Sequence, residues 1–282
     1  MPGEIAPTEL DVQMTFAQPR HDDRVLLFVD GDGRKGSSQE DAFLARINAR
    51  GARELPRYAD LPTNVEAIHA FSIGGQRFLL ALGDVAVLEG FEPVGVRSLV
   101  ASHPESEDLA ILAAYHLRCW YRDNRFCGRC GMLLSPSANE RALTCASCGN
   151  VVYPRISPAI IVAVTDGDRI LMTRYAHGPY RKRALVAGFV EIGETAEQAV
   201  AREVHEECGL GVKNVRYYGS QPWGLSGSLM LGYFAELDGD PEPSPGDGEL
   251  SWAGWVDRRD IAESDDYALG RQMVEAFRDG RW

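Results

Sequence analysis

Residues 188–210 constrain this chain more than any other stretch of its sequence. They read GFVEIGETAEQAVAREVHEECGL and fit the pattern G-x5-E-x7-R-E-U-x-E-E-x-G-U, in which U is an aliphatic residue. Nine positions are fixed over 23 residues, and four of the nine are acidic. Because an ordinary acidic surface helix seldom reproduces such a string, we interpret the segment as a functional site.

The second half of this segment is expected to be an α-helix. Thr195 followed three residues later by Gln198 is the signature of a capping box, and Gly209 is a typical C-terminal stop. Apolar residues between these limits recur at helical spacing and predict a core-facing side: Ala196, Ala199, Val200 and Val204. Residues 188–194 contain two glycines and are expected to form a loop that bends back on the helix.

Three glutamates, Glu203, Glu206 and Glu207, should fall within an arc of about 100° on this helix. Like charges at this spacing repel one another, so a cation is expected to neutralise them. Hard carboxylate oxygens, completed by phosphate oxygens, suit Mg²⁺ or Mn²⁺. Arg202 is flanked by acids and could hold Glu194 in place, although a plain surface ion pair would contribute little.

A second motif has the spacing Cys127-x2-Cys130-x14-Cys145-x2-Cys148. Two such knuckles predict a four-thiolate zinc ribbon with one structural zinc, whose closed tetrahedron leaves no position for catalysis. Two disulfides are the alternative, which a cytosolic chain disfavours.

Composition bounds the class of protein. With 282 residues, 45% hydrophobic and 25% charged, the chain is globular and long enough for two or three domains. Its net charge of −12 disfavours tight, non-specific binding to a phosphate backbone but not a nucleotide substrate. No apolar run approaches the roughly 18 residues of a membrane span. The acidic N-terminus lacks a signal-peptide core, so we expect a cytoplasmic protein with no membrane partner.

Periodicity and turn residues predict the order of the elements. In the first hundred residues we expect a strand over 25–30, an exposed loop over 31–40 and a hairpin at Gly83 and Asp84. Ser102 and Glu105 should cap a helix that runs to about Asn124. Further strands are predicted over 159–164, 170–173, 215–218, 229–237 and 252–256, and residues 261–277 should be mostly helical.

The 23-residue pattern is that of the Nudix box, so the chain resembles the Nudix hydrolases. A zinc ribbon directly before the box, joined by Tyr153-Pro154-Arg155, resembles the NADH pyrophosphatase subfamily. The resemblance implies an α+β (α-β-α) fold, with a Nudix domain whose mixed sheet lies between helices, preceded by the ribbon and an N-terminal α/β domain. It implies the boundaries 1–100 for the N-terminal domain, 101–125 for a connecting helix, 126–152 for the ribbon and 153–282 for the Nudix domain.

The same resemblance implies metal-dependent hydrolysis of NADH or NAD⁺ to nicotinamide mononucleotide and AMP by a homodimer. Members also remove NAD caps from RNA. The subfamily motif S-Q-P-W-P-F-P-x-S stands here as SQPWGLSGS over 220–228, so Gly-Leu-Ser replaces a stiffer Pro-Phe-Pro wall. This departure leaves another Nudix substrate open, such as ADP-ribose or a dinucleoside polyphosphate. A non-catalytic nucleotide- or RNA-binding protein is the third alternative.

Residue roles follow from the resemblance by position. Glu203, Glu206 and Glu207 would bind two or more Mg²⁺ or Mn²⁺ ions, and Glu207 would help to activate water. The carbonyl of Ala187 and the side chain of Glu249 would be further metal ligands. The implied substrate-binding positions are Phe189, Tyr153, Ile161, Gln221, Pro222, Trp223, Ser228, Met230, Glu140, Arg97 and Gly270. Core packing for Phe189, a linker role for Tyr153, and a solvated acid at Glu249 remain as alternatives.

Overall fold

The computed structural model of this chain describes residues 10–30, 41–49, 52–83, 88–100, 106–177, 182–246, 248–263 and 268–282. The chain forms two compact units, Met1–Arg155 with Gly224–Ser226, and Ile156–Trp223 with Gly227–Trp282. The expected loop over 31–40, the capping residues Ser102 and Glu105, and most of the second strand of the expected hairpin lie outside the described residues.

The first unit is rich in β-structure. Its elements are β1 (Leu10–Asp11), β2 (Arg24–Leu26), β3 (Phe28–Val29), β4 (Ala42–Ile47), β5 (Arg53–Glu54), β6 (Glu66–Ile73), β7 (Gln76–Leu82), β8 (Glu92–Gly95), α1 (Ser106–Asp123), β9 (Ser135–Pro136), β10 (Leu143–Thr144) and β11 (Val151–Val152). The sheet orders are β1-β6-β7-β2, β3-β4-β5 with β8 paired to β4, and β11-β10-β9 in the ribbon. Helix α1 confirms the predicted helix and packs its apolar side into the core of this unit.

The tight hairpin of this unit differs from the predicted one. Gly74 and Gly75 connect β6 to β7 with φ of 55° and 80°. Two successive positive φ angles suit the two-residue turns that match the twist of antiparallel strands, and glycine adopts them without strain. β7 pairs with β6 on one side and with β2 on the other, and Leu88 is not in a strand.

The second unit holds the 23-residue motif. Its elements are β12 (Ser157–Asp166), β13 (Arg169–Tyr175), β14 (Val186–Phe189), α2 (Ala196–Cys208), β15 (Gly211–Trp223), β16 (Ser228–Asp238), β17 (Leu250–Asp257) and α3 (Leu269–Arg278). The sheet order is β15-β16-β12-β13-β17, with β14 also paired to β12. β12 and β16 run parallel whereas the other pairs are antiparallel, so the sheet is mixed.

Alternation along β12 explains the layers. Ile160 and Val162 pack in one buried cluster with apolar residues of α2, whereas Ala163 packs in another with residues of α3. Because successive side chains of a strand point to opposite faces, one apolar strand buries both faces of the sheet. A helix therefore covers each face, which confirms the expected mixed sheet between helices.

Two predicted elements of this unit have wrong limits. Gly188 and Phe189 belong to β14, not to a loop, because β14 pairs with β12 in the register Ala159↔Phe189 and Ile160↔Gly188. The last helix begins at Leu269 rather than near Ile261, which is extended after a short 3-10 turn. Within the described part of the chain, no helix is both long and apolar enough to cross a membrane.

Candidate active site

Helix α2 has the termini that its sequence predicts. The backbone N–H of Gln198 donates to Thr195 Oγ1 at 3.2 Å, and the backbone N–H of Thr195 donates to the side-chain oxygen Oε1 of Gln198 at 2.8 Å. Gly209 ends the helix at φ 70°, with its N–H donating to the carbonyl of His205 at 2.8 Å. A reciprocal cap and a left-handed glycine satisfy groups that a helix end otherwise leaves unpaired, so the position of α2 is fixed locally.

Arg202 joins the start of the motif to its end. Its Nε donates to Glu194 Oε1 at 2.6 Å and its Nη2 to Glu194 Oε2 at 3.0 Å, a two-point contact. Nη2 also donates to the carbonyl of Phe189 at 3.0 Å. The other nitrogen, Nη1, donates to Glu203 at 2.8 Å and to Glu206 at 2.9 Å. The expected Arg202–Glu194 contact is confirmed, and Arg202 binds more groups than a plain surface ion pair would.

Arg202 offsets part of the negative charge in this network. The Arg202 side chain lowers the pKa of Glu194 to about 2, aided by the backbone amide of Glu191. Hydrogen bonds from Arg202 to the glutamates raise the pKa of its guanidinium in turn. One guanidinium binds three carboxylates, so Arg202 offsets the repulsion among them only in part, and a neutralising cation remains a prediction.

The three glutamates of α2 occupy different environments. Glu207 is buried, with 3% of its surface exposed, whereas the Glu206 side chain is 54% exposed and that of Glu203 is 14% exposed. Glu203 lies directly over β14, because a Cβ at Gly188 would be 2.0 Å from its carboxylate carbon. The absence of a side chain at Gly188 thus lets the Glu203 carboxylate lie against the strand surface, and a larger residue would make that carboxylate shift. Carboxylate oxygens are hard donors of the kind that a divalent cation prefers, but among the described residues only the ribbon cysteines bring three or more potential ligand atoms within 4.8 Å of one another.

The four ribbon cysteines form a compact set of ligands. Their sulfurs all lie within 4.8 Å of one another, with Cys127 to Cys148 at 3.6 Å and Cys130 to Cys145 at 3.5 Å. A tetrahedron with zinc–sulfur bonds of about 2.3 Å places sulfurs about 3.8 Å apart, whereas a disulfide needs about 2.05 Å. The cysteines are free thiols, so the alternative of two disulfides is excluded.

The ribbon backbone prepares one of these sulfurs to bind metal. The amide of Arg129 donates to Cys127 Sγ at 3.4 Å and, with other contacts, lowers the pKa of Cys127 to about 6. Gly131 and Gly149 adopt positive φ, and their amides close the two turns onto the carbonyls of Cys127 and Cys145. A thiolate is the form that binds zinc, so the donor set fits a structural zinc ion.

The expected metal ligand Ala187 and the expected substrate contact Phe189 both lie on β14, beside the glutamates of α2. Phe189 is 54% exposed, so core packing is excluded as its role. Ala187 pairs with Ile161 across the sheet. Ile161 in turn approaches α3, because a Cβ at Gly270 would lie 2.5 Å from its terminal methyl carbon. Ile161 and Gly270 are therefore in contact. Both were predicted to bind the substrate, and that role remains a prediction.

Pairing between β15 and β16 places the residues of the SQPW segment, Ser220–Trp223. Gln221 is buried and accepts from the amide of Leu269 at 2.8 Å, which ties β15 to the first turn of α3. Ser228 is also buried, opposite Trp223, whereas Pro222 is exposed. Met230 is half-buried and packs toward α3. Gln221 therefore has a structural contact in addition to its expected role.

The segment Gly224–Ser226, which replaces Pro-Phe-Pro of the subfamily motif, does not form a loose wall. Gly224–Ser226 belongs to the first unit, where a Cβ at Gly224 would lie 2.2 Å from the carbonyl oxygen of Leu112 in α1. Leu225 packs against the core of that unit. Proline, or any residue with a side chain, would collide with the helix backbone at Gly224. The expectation of a looser segment is therefore wrong, because the glycine permits close packing.

Three expected substrate residues lie in the first unit. The Tyr153 hydroxyl donates to Glu140 Oε1 at 3.3 Å, and this carboxylate raises the pKa of Tyr153. Tyr153 is 58% exposed, which disfavours the linker role. Arg97 lies exposed on the 3-10 helix Val96–Val100.

Glu249 is exposed at the end of the loop before β17, and its backbone carbonyl accepts from the amide of Ala176 at 2.7 Å.

The sequence did not predict two other contacts that attach the loop before Glu249 to the rest of the domain. Trp255 Nε1 donates to the carbonyl of Pro241 at 2.6 Å, and the Ser244 amide donates to the carbonyl of Cys208 at 2.8 Å. No local pattern signals contacts between residues so far apart in sequence.

Comparison with known proteins agrees with this geometry. The NUDIX domain family model matches residues 155–277, and the NADH pyrophosphatase zinc ribbon domain matches residues 122–153. A Pseudomonas syringae pv. tomato protein named NAD-capped RNA hydrolase NudC is 34% identical over 270 residues, which are 93% of this chain and 95% of the relative. The chain belongs to the NADH pyrophosphatase subfamily of Nudix hydrolases.

Other relatives of this Nudix hydrolase carry the same printed name. The NAD-capped RNA hydrolase NudC of Chromobacterium violaceum is 42% identical over 185 residues, 65% of this chain and 69% of the relative. A crystal structure of a Nudix hydrolase from Nitrosomonas europaea is 24% identical, covers 56% of this chain and 92% of its own, and has a TM-score of 0.49.

The Glu194–Arg202 contact predicts a pH-dependent stability. The pKa of Glu194 is lowered in the fold from 4.5 to about 2, so its stabilising contribution is complete above the unfolded value and is lost as pH falls through this window. Glu194→Gln should therefore lower the urea midpoint at pH 7, and the difference from the wild type should shrink between pH 4.5 and 2. The exposed Glu191→Gln is the control. An equal difference at pH 7 and at pH 3 would contradict the assignment.

Removing one thiolate should empty the zinc site. We expect Cys145→Ser to lose most of its zinc, measured as metal released per chain, and to unfold at a lower temperature because metal binding contributes to ribbon folding. Cys119→Ser, outside the set, should keep one zinc per chain. Retention of one zinc by Cys145→Ser would show that the four cysteines are not the ligands.

Proposed function

We propose that this Nudix hydrolase cleaves the pyrophosphate of NADH and NAD⁺ to give nicotinamide mononucleotide and AMP, and that it removes NAD caps from RNA. The main support for this proposal is that 93% of this chain is similar in sequence to a relative named NAD-capped RNA hydrolase NudC. The buried Glu207, with Glu203 held over Gly188, supports hydrolysis rather than binding alone.

The metal ligands of the proposal lie on three elements. Glu203, Glu206 and Glu207 of α2, the carbonyl of Ala187 on β14, and Glu249 would hold two or more Mg²⁺ or Mn²⁺ ions. Such ions, when bound, neutralise charge that builds on phosphorus and lower the pKa of a coordinated water.

The remaining chemistry is assigned to side chains. Glu207, a carboxylate buried near the end of α2, accepts the proton of the attacking water as general base. Arg202 orients both ends of the motif through Glu194 and Glu203. Phe189, exposed beside the glutamates, offers its ring for stacking on the nicotinamide.

Other pocket residues set recognition in this proposal. Tyr153 and Glu140 form a hydrogen-bonded pair on the ribbon that could serve the site of a partner subunit. A homodimer is supported by large apolar side chains exposed on the same ribbon: Phe126, Met132, Leu133 and Val151. The further proposed contacts are Ile161, Gln221, Pro222, Trp223, Ser228, Met230, Arg97 and Gly270. A cytoplasmic location belongs to the proposal as well.

A different small substrate, ADP-ribose or a dinucleoside polyphosphate, is the second candidate. The segment Gly224–Ser226 favours this candidate. It lacks the Pro-Phe-Pro of the subfamily motif, and it packs on α1 instead of offering an apolar wall. A non-catalytic RNA binder fits less well. Arg141, one of two basic residues inside the ribbon, is half-buried and donates to the carbonyls of Ala70 and Val12.

Loss of the proposed base should abolish turnover without unfolding the protein. We expect Glu207→Gln to lower kcat by about 100-fold or more. Circular dichroism and the melting temperature should report an intact fold. His205→Gln, an exposed neighbour on the same helix, is the matched control and should keep its kcat. Near-normal turnover by Glu207→Gln would remove this residue from the mechanism.

A substrate panel tests the proposed preference. Pure protein is incubated with NADH, NAD⁺, ADP-ribose, diadenosine polyphosphates and NAD-capped RNA, each with Mg²⁺ or Mn²⁺, and products are separated by chromatography. We expect nicotinamide mononucleotide and AMP from the dinucleotides, with kcat/KM highest for NADH, NAD⁺ or the capped RNA. Highest kcat/KM for ADP-ribose or a polyphosphate would favour the second candidate. Salt-sensitive RNA binding without any hydrolysis would favour the binder.

A further inference from the structure

The loop that carries Glu249 is held at three points along its backbone. This segment, residues 239–249, is rich in proline and glycine and is called here the proline loop. Near its start, the carbonyl of Pro241 accepts from Trp255 Nε1 at 2.6 Å. In its middle, the amide of Ser244 donates to Cys208 at 2.8 Å, and at its end the carbonyl of Glu249 accepts from Ala176 at 2.7 Å.

The proline loop runs along the last turn of α2. A Cβ at Gly209 would lie 3.4 Å from the carbonyl oxygen of Ser244, and a Cβ at Gly246 would lie 3.8 Å from that of Glu206. The Ser244 amide also satisfies one of the carbonyls that a helix C-terminus leaves unpaired. The loop is therefore attached at Ser244, five residues before Glu249, to the helix that carries the three glutamates.

The indole of Trp255 is fixed in turn by packing. Its ring lies on β17, half-buried against the cluster of apolar residues between the sheet and α2. The guanidinium of Arg169 lies 5.4 Å from the ring centroid. An indole carries a single N–H donor, so a ring held in this way directs that donor to one acceptor, the carbonyl of Pro241.

We propose that Trp255, together with the amide of Ser244, is a positioning residue for Glu249. Trp255 acts through the backbone of the proline loop and does not touch the substrate or a metal. The inference deepens the proposed function and rests on the metal-binding role given there to Glu249. Glycines at 246 and 248 allow several backbone conformations between these attachments and Glu249, so the bonds at Pro241 and Ser244 restrict the path of the loop beside α2.

The test is Trp255→Phe, which keeps an aromatic ring and removes the donor. Because one hydrogen bond is worth a few-fold in an equilibrium, the Mn²⁺ concentration for half-maximal activity should rise by about three- to tenfold. Mn²⁺ binding to the protein alone, followed by electron paramagnetic resonance, should weaken by a similar factor. Deuterium exchange should accelerate over 242–249. Trp252→Phe, on the other face of the same sheet, is the matched control and should change none of these.

A double variant shows whether Trp255 acts through Glu249. In the Glu249→Gln background, Trp255→Phe should cause no further weakening of Mn²⁺ binding, because the group that it positions is already lost. Additive effects, or no effect of Trp255→Phe alone, would overturn the inference. Should Trp255→Phe not fold, Ser244→Pro removes the second attachment, and unchanged Mn²⁺ binding there would overturn it equally. If Glu249→Gln itself leaves Mn²⁺ binding unchanged, both the inference and the metal role of Glu249 fail, while the other metal ligands of the proposed function stand.

Discussion

The contacts of Arg202 organise the candidate active site. One guanidinium binds Glu194 at two points, the carbonyl of Phe189, and two of the glutamates of α2. The group is planar and always charged, so it can hold several acceptors in one fixed plane. It therefore sets the path of the segment between β14 and α2 and places Phe189 beside the acids. At the same time it compensates a cluster of negative charge that would otherwise resist folding.

The layered fold supplies the rigidity that this network needs. The apolar residues of β12 alternate between the two faces, so α2 and α3 are each packed against a buried surface. Glycine gives room for two close approaches. Gly188 admits the carboxylate of Glu203 to the strand surface, and Gly224 admits the backbone of its segment to α1. In the first unit, four cysteine sulfurs bring the two knuckles of the ribbon together, and Leu143 of the ribbon packs into the core of the unit.

Much of the fold and of the site could be predicted because the relevant signals are local. The capping box at Thr195, the stop at Gly209 and the spacing of the cysteines all involve residues a few positions apart. The limits of α3 and the hairpin at Gly74 and Gly75 were not predicted. Apolar residues near Ile261 resemble a helix pattern, and the Gly-Asp pair at 83–84 is as typical of a hairpin as the glycine pair at 74–75 that forms one. Local propensity is a weak guide where strand pairing decides the outcome.

The sequence by itself determined the chemistry: which acids could bind a metal, which thiols could bind zinc, and to which family the motif belongs. Fixed spacing within one helix or one knuckle carries that information, because neighbouring residues inherit their geometry from the backbone. Only the tertiary structure decided that Glu207 is buried while Glu206 is exposed. It also decided that Gly224 packs on α1 and that Trp255 holds the loop of Glu249. These features depend on contacts between distant parts of the chain, which arise only when the sheet and its helices are assembled.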